Sequence, residues 1–209
     1  MIQTDKLLFQ YKKTGYNFSF PDIQLKKQED LLILGKSGIG KTTLLHLLAG
    51  LLVPSGGKVN IDGVDINALS HSKLDAFRGQ NIGLVFQKKH AIKSLNVLEN
   101  LKARLFFSKK KSDDSEIENL LKALDLHTHK HNKINTLSEG QLQRLSIAMG
   151  VVHNPKVILA DEPTSSLDDE NCFNVIKLLQ KQANQTKACL VVITHDSRIK
   201  GFFQNTMEL

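Results

Sequence analysis

Residues Gly35 to Thr42 read GKSGIGKT, the spacing G-x-x-x-x-G-K-[ST] of a loop that cradles phosphate. Gly35, Gly38 and Gly40 let the backbone turn tightly and approach a ligand without a Cβ clash. With Lys36, Ser37 and Ile39 between them, successive N–H groups turn inward, and the helix that follows adds the partial positive charge of its N-terminus. Lys41 can reach β- and γ-phosphates, the Thr42 hydroxyl can ligate Mg²⁺, and Thr43 is next in line for the α-phosphate. A second chemical group stands at VILADE, Val157 to Glu162. An apolar run there delivers two adjacent carboxylates at its end, where ligands sit in open α/β sheets. Asp161 suits a Mg²⁺ shell, and Glu162 is placed to orient and polarise an attacking water.

These groups need a frame. Leu31 to Leu34 predicts a strand running into the loop. A buried helix is expected from Thr42 to Leu52, ended by Pro54 and the Gly56-Gly57 pair. KVNIDGVDI, Lys58 to Ile66, alternates around Asp62-Gly63 and predicts a hairpin. Ile82 to Phe86, Val157 to Ala160 and Leu190 to Thr194 are short apolar runs suited to interior parallel strands, with a helix from about Asp169 to Gln182 before the last. From Gln87 to about Thr136 the chain is polar and lysine-rich. Helical periodicity appears at Leu95, Leu98 and Leu101, and again at Ile117, Leu120, Leu121 and Leu124, with Ser108 to Ser115 as an exposed loop between helices. Strands alternating with helices indicate an α/β fold, a parallel sheet covered on both faces, carrying a helical insertion.

A phosphate loop with an acidic strand end fits many nucleotide enzymes. The segment LSEGQLQRL, Leu137 to Leu145, discriminates among them. It resembles the LSGGQ signature of ATP-binding-cassette ATPases, with Glu139 in place of the first glycine. Gln87, closing IGLVFQ, resembles that family's Q-loop. DEPTSSLDD, Asp161 to Asp169, resembles its acidic strand end and D-loop, and His195 in VVITHD resembles its switch histidine. Five motifs in order cover nearly the whole chain.

The resemblance implies an α/β P-loop NTPase. It would have a RecA-like parallel sheet core, a small N-terminal antiparallel β region and an inserted α-helical subdomain. Residues 1–209 would form a single ATP-binding domain, with 1–86 and 153–209 as the core and 87–152 as the helical subdomain. ATP and Mg²⁺ are the implied ligands. Ser138, the Gly140 backbone and Gln141, opening a helix, would form a second anion site that caps the γ-phosphate held by a second nucleotide-binding domain. Asp168 would lie at that subunit boundary. His195 would contact the γ-phosphate, and the Gln87 amide would join the Mg²⁺ and water network. Glu139 is the departure: an acid close to the γ-phosphate of the opposite subunit is costly unless its side chain points outward, and a working site with altered affinity is expected. The family stacks adenine on an aromatic near the N-terminus; Tyr11 is the candidate, Tyr16 competes, and Phe18 or Phe20 fits the core equally well. The runs LLHLLAGLLVPSGGKV, IGLVFQ and ILADEPT are similar to the lipoprotein-releasing, macrolide-export and FtsE-type ATPases.

Composition bounds the rest. With 41% hydrophobic residues in 209 the chain can bury a core. Cys172 and Cys189, without CxxC spacing, read as reduced thiols. HTHKH, His127 to His131, reads as a solvated loop, since no cysteine or carboxylate motif accompanies it. No apolar run approaches the roughly 20 residues of a membrane span, and MIQTDKLLFQYKK lacks the apolar stretch of a signal peptide. With no span of its own, the chain is expected in the cytosol; the resemblance implies a peripheral place on the cytoplasmic face of the inner membrane, with a separate transmembrane permease docked at the helical insertion and a second copy as dimer partner. No C-terminal regulatory domain is expected after the last strand. The formal charge of +7 leaves a soluble ribosome- or nucleic-acid-acting ATPase of the same superfamily as the alternative. Such proteins carry two cassettes per chain, and one phosphate loop is present; no nucleic-acid partner is expected. The roughly fifty residues between Gln87 and Leu137 are too few for the long coiled coils of chromosome-organising relatives.

Overall fold

A computed structural model describes residues 1–11, 15–86, 90–165 and 167–209. In chain order the strands are β1 (Ile2–Gln10), β2 (Asn17–Ser19), β3 (Gln24–Leu25), β4 (Asp30–Leu34), β5 (Gly56–Ile61), β6 (Val64–Asp65), β7 (Ile82–Val85), β8 (Val157–Asp161), β9 (Cys189–Thr194) and β10 (Asn205–Glu208). The helices are α1 (Lys41–Leu48), α2 (His71–Asn81), α3 (Val97–Phe107), α4 (Asp114–Ala123), α5 (Glu139–Val151) and α6 (Asp169–Thr186).

Five strands form a parallel sheet in the order β10-β4-β9-β8-β7. Its central strands are apolar at consecutive positions because both faces are covered. Ile33, Leu159, Val191 and Ile193 face a core built with Leu44, Leu45, Leu47 and Leu48 of α1. Their neighbours Leu32, Ile158, Leu190 and Val192 face the core built with α3 to α6. The first of these cores also takes in Ile2, Leu7, Val59 and Ile61 from an antiparallel sheet, β2-β1-β5-β6 with β3 on β1. The expected hairpin is present: Ile61 pairs with Val64, and Asp62 and Gly63 both take positive φ, at 54° and 82°, as a two-residue primed turn requires.

Helix α1 stops at Leu48, short of the expected Leu52. Gly50 takes φ 63°, the Leu51 N–H donates to the His46 carbonyl at 2.8 Å, and the Gly50 N–H donates to Leu47 at 3.0 Å. This is a glycine-terminated Schellman turn, so Gly50 ends the helix before Pro54 can. The loop placed at Ser108 to Ser115 is shorter, since α4 begins at Asp114 behind the Asp113 cap. Helix α6 runs one turn past the expected Gln182, to Thr186. The described part of the expected insertion holds α3, α4, α5 and two 3₁₀ turns. Among the described residues no helix is long and apolar enough to cross a membrane.

Candidate functional site

Strand register decides which residues meet. Leu34 stands beside Thr194, and Ile193 beside Asp161. The next residues, Gly35, Glu162 and His195, therefore leave the sheet along one edge, the carboxyl edge where such sheets bind ligands. They open on a cleft of about 790 Å³ lined by Lys36, Ser37, Gly38, Gly40, Lys41, Thr42, Thr43, Asp161, Glu162 and His195, with Tyr11 and Phe18 as an aromatic wall. Gly35 and Ile39 belong to the same loop but frame it from outside the lining.

The loop's shape depends on Gly40. Its φ is 112°, and an added Cβ would lie 2.7 Å from a Phe18 ring carbon, so no side chain fits there. Gly40 is the N-cap of α1 and supplies no side-chain cap, while the first-turn N–H groups of a helix have no intrahelical acceptor. Lys41 is 6% exposed. Its ammonium donates to the Gly35 carbonyl at 2.8 Å and the Lys36 carbonyl at 3.0 Å, and stands 3.6 Å from the Glu162 carboxylate. The loop's own carbonyls thus hold the charge in the cleft.

The two carboxylates differ. Asp161 accepts the Thr42 hydroxyl at 3.2 and 3.4 Å. Burial pushes its carboxyl above the usual range; the Thr42 hydrogen bond opposes this and the neighbouring Glu162 charge adds to it. Glu162 has φ 46° and accepts from the Thr194 hydroxyl at 2.7 Å, the His195 N–H at 3.4 Å and His195 Nδ1 at 3.0 Å. An ionised carboxylate only accepts, so Nδ1 carries the proton and Nε2 is the nitrogen that faces other partners. Thr42 and Asp161 present hydroxyl and carboxylate oxygens side by side, the hard donor set that Mg²⁺ takes.

The LSEGQ segment lies elsewhere. Ser138 is the N-cap of α5, accepting from the Gln141 N–H at 3.3 Å, while Gln141 Oε1 accepts from the Ser138 N–H at 2.8 Å. That is a capping box. Gln141 Nε2 also meets His129 Nε2 at 2.9 Å. Glu139 and Gly140 line a hollow of about 390 Å³ between α4, α5 and α6; among the described residues none of Ser138 to Gln141 lines the phosphate cleft. Two residues further on, Gln143 is buried and donates to the Pro163 carbonyl at 3.0 Å, tying α5 to the turn after Glu162. Asp168 caps α6, accepting from the Asn171 N–H at 2.9 Å and Nδ2 at 2.7 Å, and these bonds pull its carboxyl below the usual range. Gln87 lies outside the described residues.

The ABC transporter family matches residues 20–165. The chain belongs to the ABC transporter family. It is the ATP-binding and ATP-hydrolysing subunit of a membrane transporter of that family. It is 34% identical to the ABC transporter ATP-binding protein YtrE of Bacillus subtilis (strain 168) over 189 residues, covering 90% of this chain and 82% of that protein. It is 39% identical to the lipoprotein-releasing system ATP-binding protein LolD of Leptospira interrogans over 169 residues, 78% of this chain and 70% of that one. Among solved structures, the dimeric post-hydrolysis state of the ATP-binding cassette MJ0796 bound to ADP and Pi superposes with TM-score 0.88 at 31% identity, over 100% of this chain and 94% of that one.

Three placements go beyond what the sequence alone specifies. Phe18, placed in the core as readily as at the site, walls the cleft beside Gly40; the signal was a bulky ring opposite a glycine, which only the β1–β2 pairing Phe9↔Phe18 makes visible. Tyr11 lines the same cleft and shares a hydrogen bond of 3.0 Å with the Thr43 hydroxyl, whereas Tyr16 is 70% exposed. The HTHKH stretch is pinned rather than merely solvated: His127 and Lys130 pair with Glu118, and His129 meets Gln141.

Proposed function

We propose that this cassette works as one half of an ATP-driven pair in which each nucleotide is bound between two copies of the chain. The observation that supports this is the separation just described. One edge of the sheet gathers Lys41, Thr42, Asp161, Glu162 and His195 around a single cleft. The helix terminus that resembles the family's γ-phosphate cap lies outside that cleft. A partner chain related head to tail would bring its Ser138, Gly140 and Gln141 over the ATP, with Asp168 at the boundary.

In this reading the loop N–H groups and Lys41 hold the β- and γ-phosphates, with Gly35, Lys36, Ser37, Gly38, Ile39 and Gly40 shaping the cradle. Thr43 borders the α-phosphate, and the Tyr11 ring takes the adenine. Thr42, Asp161 and Gln87 would hold Mg²⁺, which when bound neutralises charge on the phosphate oxygens. Glu162 accepts a proton from, and aims, the water that attacks the γ-phosphorus; the P–O bond to ADP breaks and inorganic phosphate leaves. His195, held through Nδ1 by Glu162, directs Nε2 at the γ-phosphate. Loss of that phosphate removes contacts shared by both chains, and the pair opens.

The opening and closing would drive a separate transmembrane permease at the cytoplasmic face of the inner membrane, with the chain peripheral to the bilayer. The structural neighbour cbiO1 of Clostridium perfringens, with TM-score 0.88 and 27% identity over 99% of this chain and 83% of that one, is described as part of the ABC transporter complex cbiONQ. The LolD relatives point to the lipoprotein-releasing group for this cassette.

Turnover per chain tests the pairing. If each site needs two chains, specific ATPase activity rises with protein concentration and then levels off. Specific activity that stays constant on dilution well below the dimer's dissociation range would contradict the shared site.

A further inference from the structure

Downstream of His195 lies a cluster that the roles above leave unused. Asp196 caps the 3₁₀ turn Ser197–Phe202, and its carboxylate is a crowded acceptor. Oδ1 takes the Arg198 N–H at 3.1 Å and Arg198 Nε at 2.9 Å. Oδ2 takes Arg198 Nη2 at 2.7 Å, the Thr164 hydroxyl at 3.3 Å and the Cys172 thiol at 3.5 Å. The Arg198 bonds hold this carboxyl down at about 2, so it stays ionised at neutral pH. The same guanidinium reaches a second segment: Nη1 pairs with Asp169, and Nη2 donates to the Leu167 carbonyl at 3.3 Å. Leu167 and Asp169 flank Asp168. On the other side, the Asp196 N–H donates to the Thr194 hydroxyl at 3.0 Å, and that hydroxyl donates to Glu162.

We infer that Arg198 is a positioning residue that locks the Leu167–Asp169 segment to the His195–Asp196 turn, so that the placement of Asp168 and the placement of His195 and Glu162 move together. The planar fork of an arginine suits this task. It meets both Asp196 oxygens at once and still has Nη1 for Asp169, which the single ammonium of lysine cannot do. Thr164 and Cys172 fix Asp196 from the turn after Glu162 and from α6, so a shift of α6 relative to the sheet is felt at Asp196 directly. The inference rests on the functional reading above, in which Asp168 sits at the boundary between chains. A contact made there by a second chain would reach the hydrolytic carboxylate through Arg198.

Steady-state kinetics of the full chain test it. Arg198→Ala is expected to lower kcat about tenfold with KM for ATP within about twofold, because alignment is lost and ground-state binding is not. Arg198→Lys is expected to fall between the two. Arg198→Ala combined with Asp168→Ala should be no slower than the slower single variant, the non-additivity of residues acting as one unit. Asp169→Ala, which removes only the surface arm of the clamp, should show a smaller fall in kcat in the same direction and serves should Arg198→Ala fail to fold. Wild-type kcat in Arg198→Ala, or additive effects with Asp168→Ala, would overturn the inference. So would a parallel loss of kcat, ATP binding and melting temperature that Arg198→Lys does not relieve, or a wild-type kcat in Asp169→Ala where that is the variant measured. Glu162→Gln separates the two levels. If it is inactive while Arg198→Ala is normal, only the clamp is wrong; if Glu162→Gln turns over normally, the reading beneath it fails.

Discussion

Two helices of this cassette begin at the phosphate-loop pattern and at the LSEGQ segment, and their first turns differ. Helix α1 starts at Gly40, which offers no side-chain cap and tolerates no Cβ. Helix α5 starts at Ser138 and closes a capping box with Gln141, which is in turn held at His129. The start of α1 thus opens on the cleft, with a buried lysine already held in it. The start of α5 is a finished helix end whose exposed first turn can meet a charge brought by another chain. On the proposed function, binding and completion of the nucleotide site belong to these two separately stabilised elements. One should therefore be breakable without the other.

The largest effect is expected at α1. Lys41→Ala removes the cation held in the cleft beside Glu162, and turnover should fall by about 10²-fold or more, with nucleotide affinity falling alongside in equilibrium titration. Gly40→Ala comes next. It forces a side chain to φ 112° against Phe18, so nucleotide binding by a single chain should weaken, read by titration with a fluorescent ATP analogue. Ser138→Ala should leave single-chain nucleotide affinity intact. It removes a cap worth about 1 kcal/mol of stability, measurable by denaturant unfolding, and lowers turnover at concentrations where the pair forms. Ser138→Ala that weakened binding by one chain would erase the contrast between the helices. The smallest effect is expected for Tyr11→Phe, which keeps the ring and loses only the bond to Thr43, worth about 1 kcal/mol. Its affinity for ATP should stay within about tenfold of wild type, whereas Tyr11→Ala should lose more.

The phosphate loop, the carboxylate pair and His195 were legible in sequence because each is a contiguous pattern at the end of an apolar strand, and parallel register then aligns the strand ends. The end of α1 was not, because apolar residues continue through Leu51, Leu52 and Val53 while the stop is a backbone event at Gly50. Strand β1 was hidden by a bulge: the register shifts between Asp5 and Leu8, and Lys6 takes φ 47°, which breaks the alternation a strand search relies on. Helix α2 was hidden because it buries no residue fully and meets the core through only partly buried Leu74 and Phe77, too short an apolar pattern to mark a helix. Phe18, His129 and Arg198 act through partners distant in sequence or unmarked by any motif, and only the fold brings those partners together.

On the proposed function, ATP joins two copies of this chain. Sedimentation velocity of Glu162→Gln with and without ATP tests it most directly, since slowing hydrolysis preserves whatever ATP assembles. A monomer is expected without nucleotide, and a dimer with ATP that ADP does not reproduce. A species that remains monomeric with saturating ATP, in a variant shown to bind it, would rule out a nucleotide shared between two chains.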